Sequence, residues 1–233
     1  MERDAFKLLD AMERSWWYRG RIAVVRAGLR RVRVGRTGDA LDFGAGFGGM
    51  RAMLADFGEH IDAFEPDLEA KAAASKRGYR TVFSSDTEAF SHSYGLIGLF
   101  DVVEHVEDDA TLLKSAYGAL ATGGIVSITV PAFPFLWSAH DVTHHHYRRY
   151  TKASMRAALE QAGFAVEYAS YWNMTLFVPA AALRLMGRSG ENGLSLPKYL
   201  DALFLGIIRI ESFLMRFMPL PFGTGLVMIA RRR

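Results

Sequence analysis

From residue 39 onward the chain alternates short apolar runs with stretches of helical spacing. The runs are DALDF, HIDAFE, YRTVFSS, YGLIGLFDVV, GGIVSITV and AVEYASYW, and helices are predicted near 48–57, 67–77, 109–120 and 151–162. Strands alternating with crossover helices predict a mostly parallel sheet covered on both faces, a doubly wound α/β domain. Ahead of it, Phe6, Leu9, Met12, Trp16, Trp17, Ile22, Val25 and Leu29 recur at helical intervals, which predicts a helical N-terminal cap over residues 1–36. The core is expected over 37–173 and 223–233, with 174–222 as a helical insertion or lid. The last run, GLVMIARRR, follows that insertion and is expected to return antiparallel at the sheet edge.

Within the insertion, residues 198–218 predict a helix ended by Pro219 and Pro221. At about 100° per residue, Lys198, Asp201, Arg209, Ser212 and Arg216 fall in one narrow stripe and nearly everything else is apolar. The charges argue against a membrane span, so the apolar surface is expected to be covered by the sheet, a second subunit, a greasy substrate or a membrane surface. Glu211 lies off the stripe and is expected to be paired or to face a cleft.

Composition narrows the chemistry. Lys and Arg number 28 against 25 Asp and Glu, a net charge of +3 that gives little field for nucleic acid. There is no cysteine, so disulfides and thiolate metal sites are excluded. The first 30 residues carry Glu2, Arg3, Asp4, Lys7, Asp10 and Glu13 without an apolar signal region, and a cytoplasmic protein is expected.

The segment LDFGAGFGG, residues 41–49, follows a predicted strand and opens a predicted helix, where glycines admit close backbone approach and free N–H groups face an anion. Its spacing fits both G-x-G-x-x-G (Gly44, Gly46, Gly49) and D-x-G-x-G-x-G (Asp42, Gly44, Gly46, Gly48), and a plain structural turn is the third reading. Glu65, at the end of the second strand, can accept from a ribose diol under either ligand reading. Asp42 would repel a pyrophosphate but receive an ammonium, Asp86 stands where an adenine amino group could bind, and no second nucleotide-binding half follows. Together these favour S-adenosylmethionine over a nicotinamide dinucleotide.

LDFGAGFGG, FEPD and FDVVEHVEDD resemble the successive motifs of class I S-adenosylmethionine-dependent methyltransferases, across roughly residues 16–173 plus the last strand. The EHV element is similar to the small-molecule branch that includes the O-methyltransferases of ubiquinone biosynthesis. The resemblance implies a Rossmann-like, seven-stranded sheet in the order 3-2-1-4-5-7-6 with the last strand antiparallel. It implies Asp42, Gly44, Ala45 and Gly46 at the methionine end, Glu65 and Pro66 at the ribose, Asp86 at the adenine, and Phe100 and Asp101 lining the cofactor. It also implies an arginine ahead of the glycine loop, with Arg21 the best candidate and Arg19 the fallback; core packing of the cap is the other reading of WWY. That branch carries E-x-x-E-H at the fourth strand and is associated with a divalent metal. Here the first acid is Asp101, which shortens the ligand and leaves metal doubtful.

Asp101, Glu104 and His105 fall at the carboxyl end of the fourth strand, where open α/β sheets bind ligands. Methyl transfer to a hydroxyl needs alignment and a proton acceptor, and His105 is the first choice because imidazole titrates near neutrality. After the fifth strand comes HDVTHHHYRRYT. At most one or two of His144, His145 and His146 can face the cleft, and with His144 and His145 chosen first, a histidine and Arg148 or Arg149 are expected to hold and orient a polar acceptor. Alternatively, Arg148, Arg149 and Tyr150 bridge to the helix beginning at Thr151, or His140 and His144 bind a metal, although no helix is read over Pro134–Thr143. Phe133, Phe135 and Trp137 suggest that the acceptor has an apolar part. The expected activity is methyl transfer to an oxygen, less readily a nitrogen, of a small molecule. The rivals are a nicotinamide-dependent oxidoreductase and a non-catalytic nucleoside-binding regulatory domain. The expected partners are the acceptor alone or a second copy, so monomer or homodimer, with no nucleic acid, no transmembrane segment, and peripheral membrane contact as an option.

Overall fold

Residues 13–185 and 197–233 are described by a computed structural model of the chain; Phe6, Leu9 and Met12 of the expected cap and part of the expected insertion lie outside the described residues. The elements are α1 (Trp16–Arg31), β1 (Asp39–Phe43), α2 (Arg51–Leu54), β2 (His60–Phe64), α3 (Leu68–Ala74), β3 (Val82–Phe83), α4 (Asp86–Ala89) and β4 (Tyr94–Phe100). They continue with α5 (Asp109–Ala119), β5 (Leu120–Pro131), α6 (Ala139–Thr143), α7 (Lys152–Gln161), β6 (Phe164–Trp172), α8 (Phe177–Leu185), α9 (Lys198–Leu214) and β7 (Gly225–Arg232).

The strands form one seven-stranded sheet in the order β3-β2-β1-β4-β5-β7-β6. The pairs from β3 through β5 are parallel. β7 runs antiparallel to both β5 and β6. It therefore lies inside the sheet, in the order and direction that the methyltransferase resemblance implies; the edge position read from the tail alone falls to β6. The reason is visible in its composition, since Leu226, Val227, Met228, Ile229 and Ala230 are all buried and so must be covered on both faces.

Alternation along the strands divides the core in two. Leu41, Phe43, Ile97, Leu99, Val126, Ile128 and Met228 pack with α5 and α7 on one face. Ala40, Ile61, Leu96, Ile125, Val227 and Ile229 pack with α1, α2 and α9 on the other. Gly28 lets α1 sit directly on the sheet, because a Cβ there would meet Ile229 Cδ1 at 2.9 Å.

α9 sits in a different rotation from the one its polar stripe suggests. Leu205, Ile208, Ser212 and Met215 form its buried face. Asp201 turns inward to accept from the Trp16 N–H at 2.7 Å, which satisfies one of the free amides at the start of α1. With Asp201 and Ser212 drawn inward, Leu203, Ile210, Phe213 and Phe217 turn away from the sheet and are exposed on the single chain. Glu211 is buried, as its position off the stripe predicts, and it accepts from Met174 N at 3.0 Å and Thr175 N at 2.8 Å. No helix among the described residues is long and apolar enough to cross a membrane.

Candidate active site

The glycine loop leaves β1 by a sharp turn in which Gly44 N and Ala45 N both donate to Phe64 O, at 2.9 and 3.0 Å. Gly44, Gly46 and Gly48 have φ of +74°, +54° and +84°, a region that residues with a Cβ enter only with strain. At Gly44 a Cβ would lie 2.6 Å from Val102 Cγ2, while at Gly46 it would meet nothing within 4 Å. The loop is thus packed on one side and open on the other.

Two buried carboxylates flank it. Asp42, 1% exposed, accepts from the Tyr79 hydroxyl at 2.5 Å. Burial pushes its pKa up to about 6, against the opposing effects of the Tyr79 hydrogen bond and the Arg21 charge. Glu65, 8% exposed, accepts from Gly46 N at 2.7 Å and from Asp67 N at 3.0 Å. The loop amides therefore fix the Glu65 carboxylate, and each oxygen keeps a lone pair for a further donor. Pro66 next to it is exposed, and Ala45 is buried.

α1 supplies the wall opposite the loop. Tyr18 reaches the glycine segment, since a Cβ on Gly49 would fall 2.2 Å from its hydroxyl. Burial pushes the Tyr18 pKa up to about 12. The Arg21 guanidinium lies over the Trp17 and Tyr18 rings, 4.9 and 4.6 Å from their centres, and Nη1 donates to Asp101 Oδ2 at 2.5 Å. Trp16 and Trp17 make the core contacts, with Phe204 and Trp172 respectively. Two indoles of WWY thus pack the helix, and the third ring, under Arg21, lies against Gly49.

At the end of β4, Phe100 is buried and its ring takes the space a side chain on Gly98 would occupy. Asp101 follows with φ +55° and accepts from Thr129 Oγ1 at 2.9 Å as well as from Arg21. Asp86 lies exposed in the first turn of α4, where its carboxylate accepts from Thr87 N at 2.6 Å.

Glu104 and His105 occupy the short helical turn after Asp101. Glu104 is 1% exposed, and its Oε2 has no hydrogen-bond partner. Burial, then the neighbouring Asp101 charge, holds this carboxyl well above the usual range. Burial and the nearby His146 lower the His105 pKa, which keeps its imidazole neutral at pH 7.

The histidine loop folds differently from its reading as an irregular segment. Ser138 and Asp141 form a capping box, each side chain bonding the other's backbone, and start the short helix α6. The rings of His140 and His144 lie against each other along it, centres 4.0 Å apart and planes tilted by 38°. At His145 the backbone turns left-handed, φ +55°, and returns His146 toward β4. The Tyr147 N–H then donates to Glu104 O at 2.7 Å and ties the loop to the β4 turn. His146 thereby reaches His105, with ring centres 4.6 Å apart and planes at 82°. His144 and His145 are both exposed.

Below His146 lies a buried charge pair. Arg149 Nε and Nη2 donate to the two oxygens of Asp141 at 2.8 and 3.0 Å, and Nη1 donates to Ala132 O at 3.2 Å. His146 Nδ1 is 2.9 Å from Asp141 Oδ1. Arg148 and Tyr150 do not bridge to α7. Arg148 donates to Glu107 O at 2.5 Å and pairs with Asp109 at 3.1 Å, and the Tyr150 hydroxyl donates to Asp109 at 2.6 Å. Sequence reasoning passed over Tyr79 and Asp141 and chose the neighbours of His146. The S-x-x-D capping signature at 138–141 was available to locate α6; the contact from Tyr79 to Asp42 has no local signal.

A model of the methyltransferase domain matches residues 18–169, well over half of the chain, so the chain belongs to that family. The resemblance to class I S-adenosylmethionine-dependent methyltransferases holds, and with it the choice of methyl transfer over nicotinamide chemistry for the glycine loop. Three solved structures illustrate the shared fold. The N-methyltransferase NodS from Bradyrhizobium japonicum, solved with S-adenosyl-L-homocysteine, is 14% identical, with 92% of this chain and 87% of that chain covered at a TM-score of 0.57. The cyclopropane synthase MmaA2 from Mycobacterium tuberculosis is 16% identical, with 91% and 84% covered at 0.57. A SAM-dependent methyltransferase from Archaeoglobus fulgidus is 16% identical, with 90% and 94% covered at 0.56. No curated protein matches the chain.

The open side of the loop at Gly46, with a buried carboxylate at each end, fits an adenosyl amino acid and not a pyrophosphate. The divalent metal that the resemblance associates with this strand end fits less simply, since Asp101 is already engaged by Arg21 and Thr129.

Proposed function

We propose that the chain transfers a methyl group from S-adenosylmethionine to an oxygen of a small acceptor in the cytoplasm. The observation that carries this reading is the glycine cradle, open at Gly46 and bounded by the buried Asp42 and Glu65. Asp42 receives the ammonium of the methionine end, with Gly44, Ala45 and Gly46 close against it. Glu65, pre-oriented by the Gly46 and Asp67 amides, accepts from the ribose hydroxyls beside Pro66. Asp86 serves the adenine, Phe100 lines the pocket, and Arg21 with Asp101 closes its α1 side. When bound, S-adenosylmethionine supplies an electrophilic methyl on a sulfonium.

His105 takes the acceptor's proton. A neutral imidazole can do so at pH 7, and proton transfer of this kind contributes about 10²–10⁴ in rate. Glu104, whose carboxyl burial and the Asp101 charge hold well above the usual range, precedes it in the same short helical turn. His144 and His145, exposed on the same loop, and Arg148, held between Glu107 O and Asp109, serve as acceptor contacts, with Phe133, Phe135 and Trp137 for an apolar part. α1 of the cap closes on the cleft and excludes water. A nitrogen acceptor is the second reading, supported by the likeness to NodS, which is named as an N-methyltransferase.

Calorimetry tests the cofactor half: S-adenosylhomocysteine binds and NAD does not, whereas NAD binding without S-adenosylhomocysteine overturns it. Transfer of labelled methyl from S-adenosylmethionine to a panel of phenols, hydroxy acids and amines tests the rest. An oxygen acceptor whose turnover is unchanged in His105→Ala would remove His105 as the base.

A further inference from the structure

We infer that a basic cleft at the opposite end of the sheet from the glycine loop binds a phosphate monoester. The cleft has a volume of about 330 Å³ and lies where the amino ends of β1, β4 and β5 meet the carboxyl end of β7. Arg33 and Arg36, from the loop ahead of β1, line it together with Arg231 of β7, Thr37 and Thr122. The seven residues of β4, at about 3.3 Å each, set it roughly 20 Å from the glycine loop, so it is a separate site.

Three observations carry the inference. First, the cleft holds cations that no acid of the chain neutralises. Arg231 donates to both oxygens of Glu167, at 2.5 and 3.0 Å, and to Gly123 O at 2.7 Å, so its charge is matched and it forms a fixed wall. Arg33 and Arg36 are exposed, and among the described residues neither pairs with a carboxylate. Arg30 and Arg31, in the last turn of α1, complement the helix dipole, a role that Arg33 and Arg36 beyond the helix do not share. Two guanidiniums match the charge of a phosphate monoester, whose oxygens fit the guanidinium fork.

Second, Arg33 stands where the backbone favours glycine. Arg33 N donates to Arg30 O at 3.1 Å and Val34 N to Leu29 O at 3.0 Å, the bond pair that ends a helix through a left-handed residue. Arg33 takes that left-handed position at φ +57°. The strain is kept for a side chain that makes no ion pair within the chain, which directs its use to a ligand. Third, the loop is set in advance. Thr37 N donates to Phe57 O at 2.8 Å, and Thr37 O fills the space that a side chain on Gly95 would take, so the backbone carrying Arg36 is pressed onto β4.

The volume falls at the low end of small-molecule sites, about 300–1,000 Å³, and leaves room for an organic part of the ester against Val34 and Ile125. A soluble ester and the headgroup of phosphatidic acid offer the same group, and the two are separated by experiment.

Glycerol 3-phosphate titrated by calorimetry is expected to bind one per chain, with glycerol silent and inorganic phosphate weaker. Phosphatidylcholine vesicles with and without phosphatidic acid separate the sources: sedimentation of the chain only with phosphatidic acid assigns the group to a lipid, and its absence assigns it to a soluble ester. Arg36→Gln and Arg33→Gly are each expected to weaken binding about 10- to 100-fold, since each removes charge-assisted bonds. Arg33→Gly is also expected to raise the Tm of the ligand-free chain by about 2–4 °C, because glycine relieves the left-handed strain. Binding lost while stability rises cannot come from unfolding. Arg209→Gln removes an exposed cation on α9 and is expected to leave binding unchanged. Affinity for S-adenosylhomocysteine is expected to be unchanged in all three variants, so the cleft and the cofactor reading fail independently. The proposal is overturned if neither glycerol 3-phosphate nor phosphatidic acid binds, if the double variant Arg33→Gly, Arg36→Gln keeps binding, if Arg209→Gln weakens it equally, or if Arg33→Gly lowers the Tm.

Discussion

Replacing Arg149 by methionine tests whether the histidine loop rests on its buried ion pair. The Arg149 and Asp141 side chains are 2% and 0% exposed, so the pair is screened little by water or salt. Removing one partner of such a pair costs about 3–5 kcal/mol, because the other charge is left buried. The lower end applies here, since Asp141 keeps Ser138 N at 2.8 Å and His146 Nδ1 at 2.9 Å after losing both arginine bonds. For a chain of this size, roughly 3 kcal/mol corresponds to a Tm lowered by about 6–12 °C. Denaturant unfolding followed by tryptophan fluorescence reads the loss, and adding Asp141→Asn to Arg149→Met is expected to recover part of it. Burial alone would raise the Asp141 pKa, but His146 and Arg149 hold it below the usual carboxylate range. The pair's stability is therefore present above the unfolded pKa near 4, and the gap between wild type and Arg149→Met closes as pH falls below about 4. A loss under about 1 kcal/mol, or strict additivity in the double variant, would refute the argument.

Cofactor affinity is expected to rise with pH up to about 6 and then level off, because Asp42 must ionise to hold an ammonium and titrates there. Calorimetry with S-adenosylhomocysteine between pH 5 and 8 reads this, with a change of roughly tenfold per pH unit below the midpoint, and Asp42→Asn should be weak and flat. Without ligand the sign reverses: Asp42 has a raised pKa, so the folded chain holds a proton the unfolded one releases, and Asp42 lowers stability as pH climbs from about 4 to about 6. Gly46→Ala adds a methyl toward the open cleft at φ +54°, and is expected to cost only about 1 kcal/mol of stability yet to abolish measurable S-adenosylhomocysteine binding. Glu211→Ala is expected to cost about 1–3 kcal/mol in denaturant unfolding, since it leaves the Met174 and Thr175 amides without their acceptor.

The sheet was legible because each buried strand is a continuous apolar run bounded by a helix of a different period, and that contrast survives in one sequence. β3 shrinks to two residues because its neighbours turn to other tasks: Tyr79 goes to Asp42, and Arg80 bonds Asp62 through Nε at 2.9 Å. The carboxylate ladder was legible for a similar reason, since Asp42 and Glu65 are fixed by the ends of β1 and β2 and need no long-range contact to be placed. The histidine loop differs. Which of three adjacent imidazoles faces β4 depends on one left-handed residue, His145, and on the Tyr147 amide finding Glu104 O, a contact across more than forty positions. Neither the backbone sign at a non-glycine residue nor a non-local amide pairing has a periodicity to read. The same limit applies to α9, where the polar stripe was correct as a pattern but the α1 terminus decided its orientation by drawing Asp201 inward. Patterns along the chain place elements and their carboxyl ends, so the side chains that stand at those ends can be named in advance. Side chains brought together by one loop folded back on another require the structure, and the meeting of His146 with His105 and Asp141 is that case.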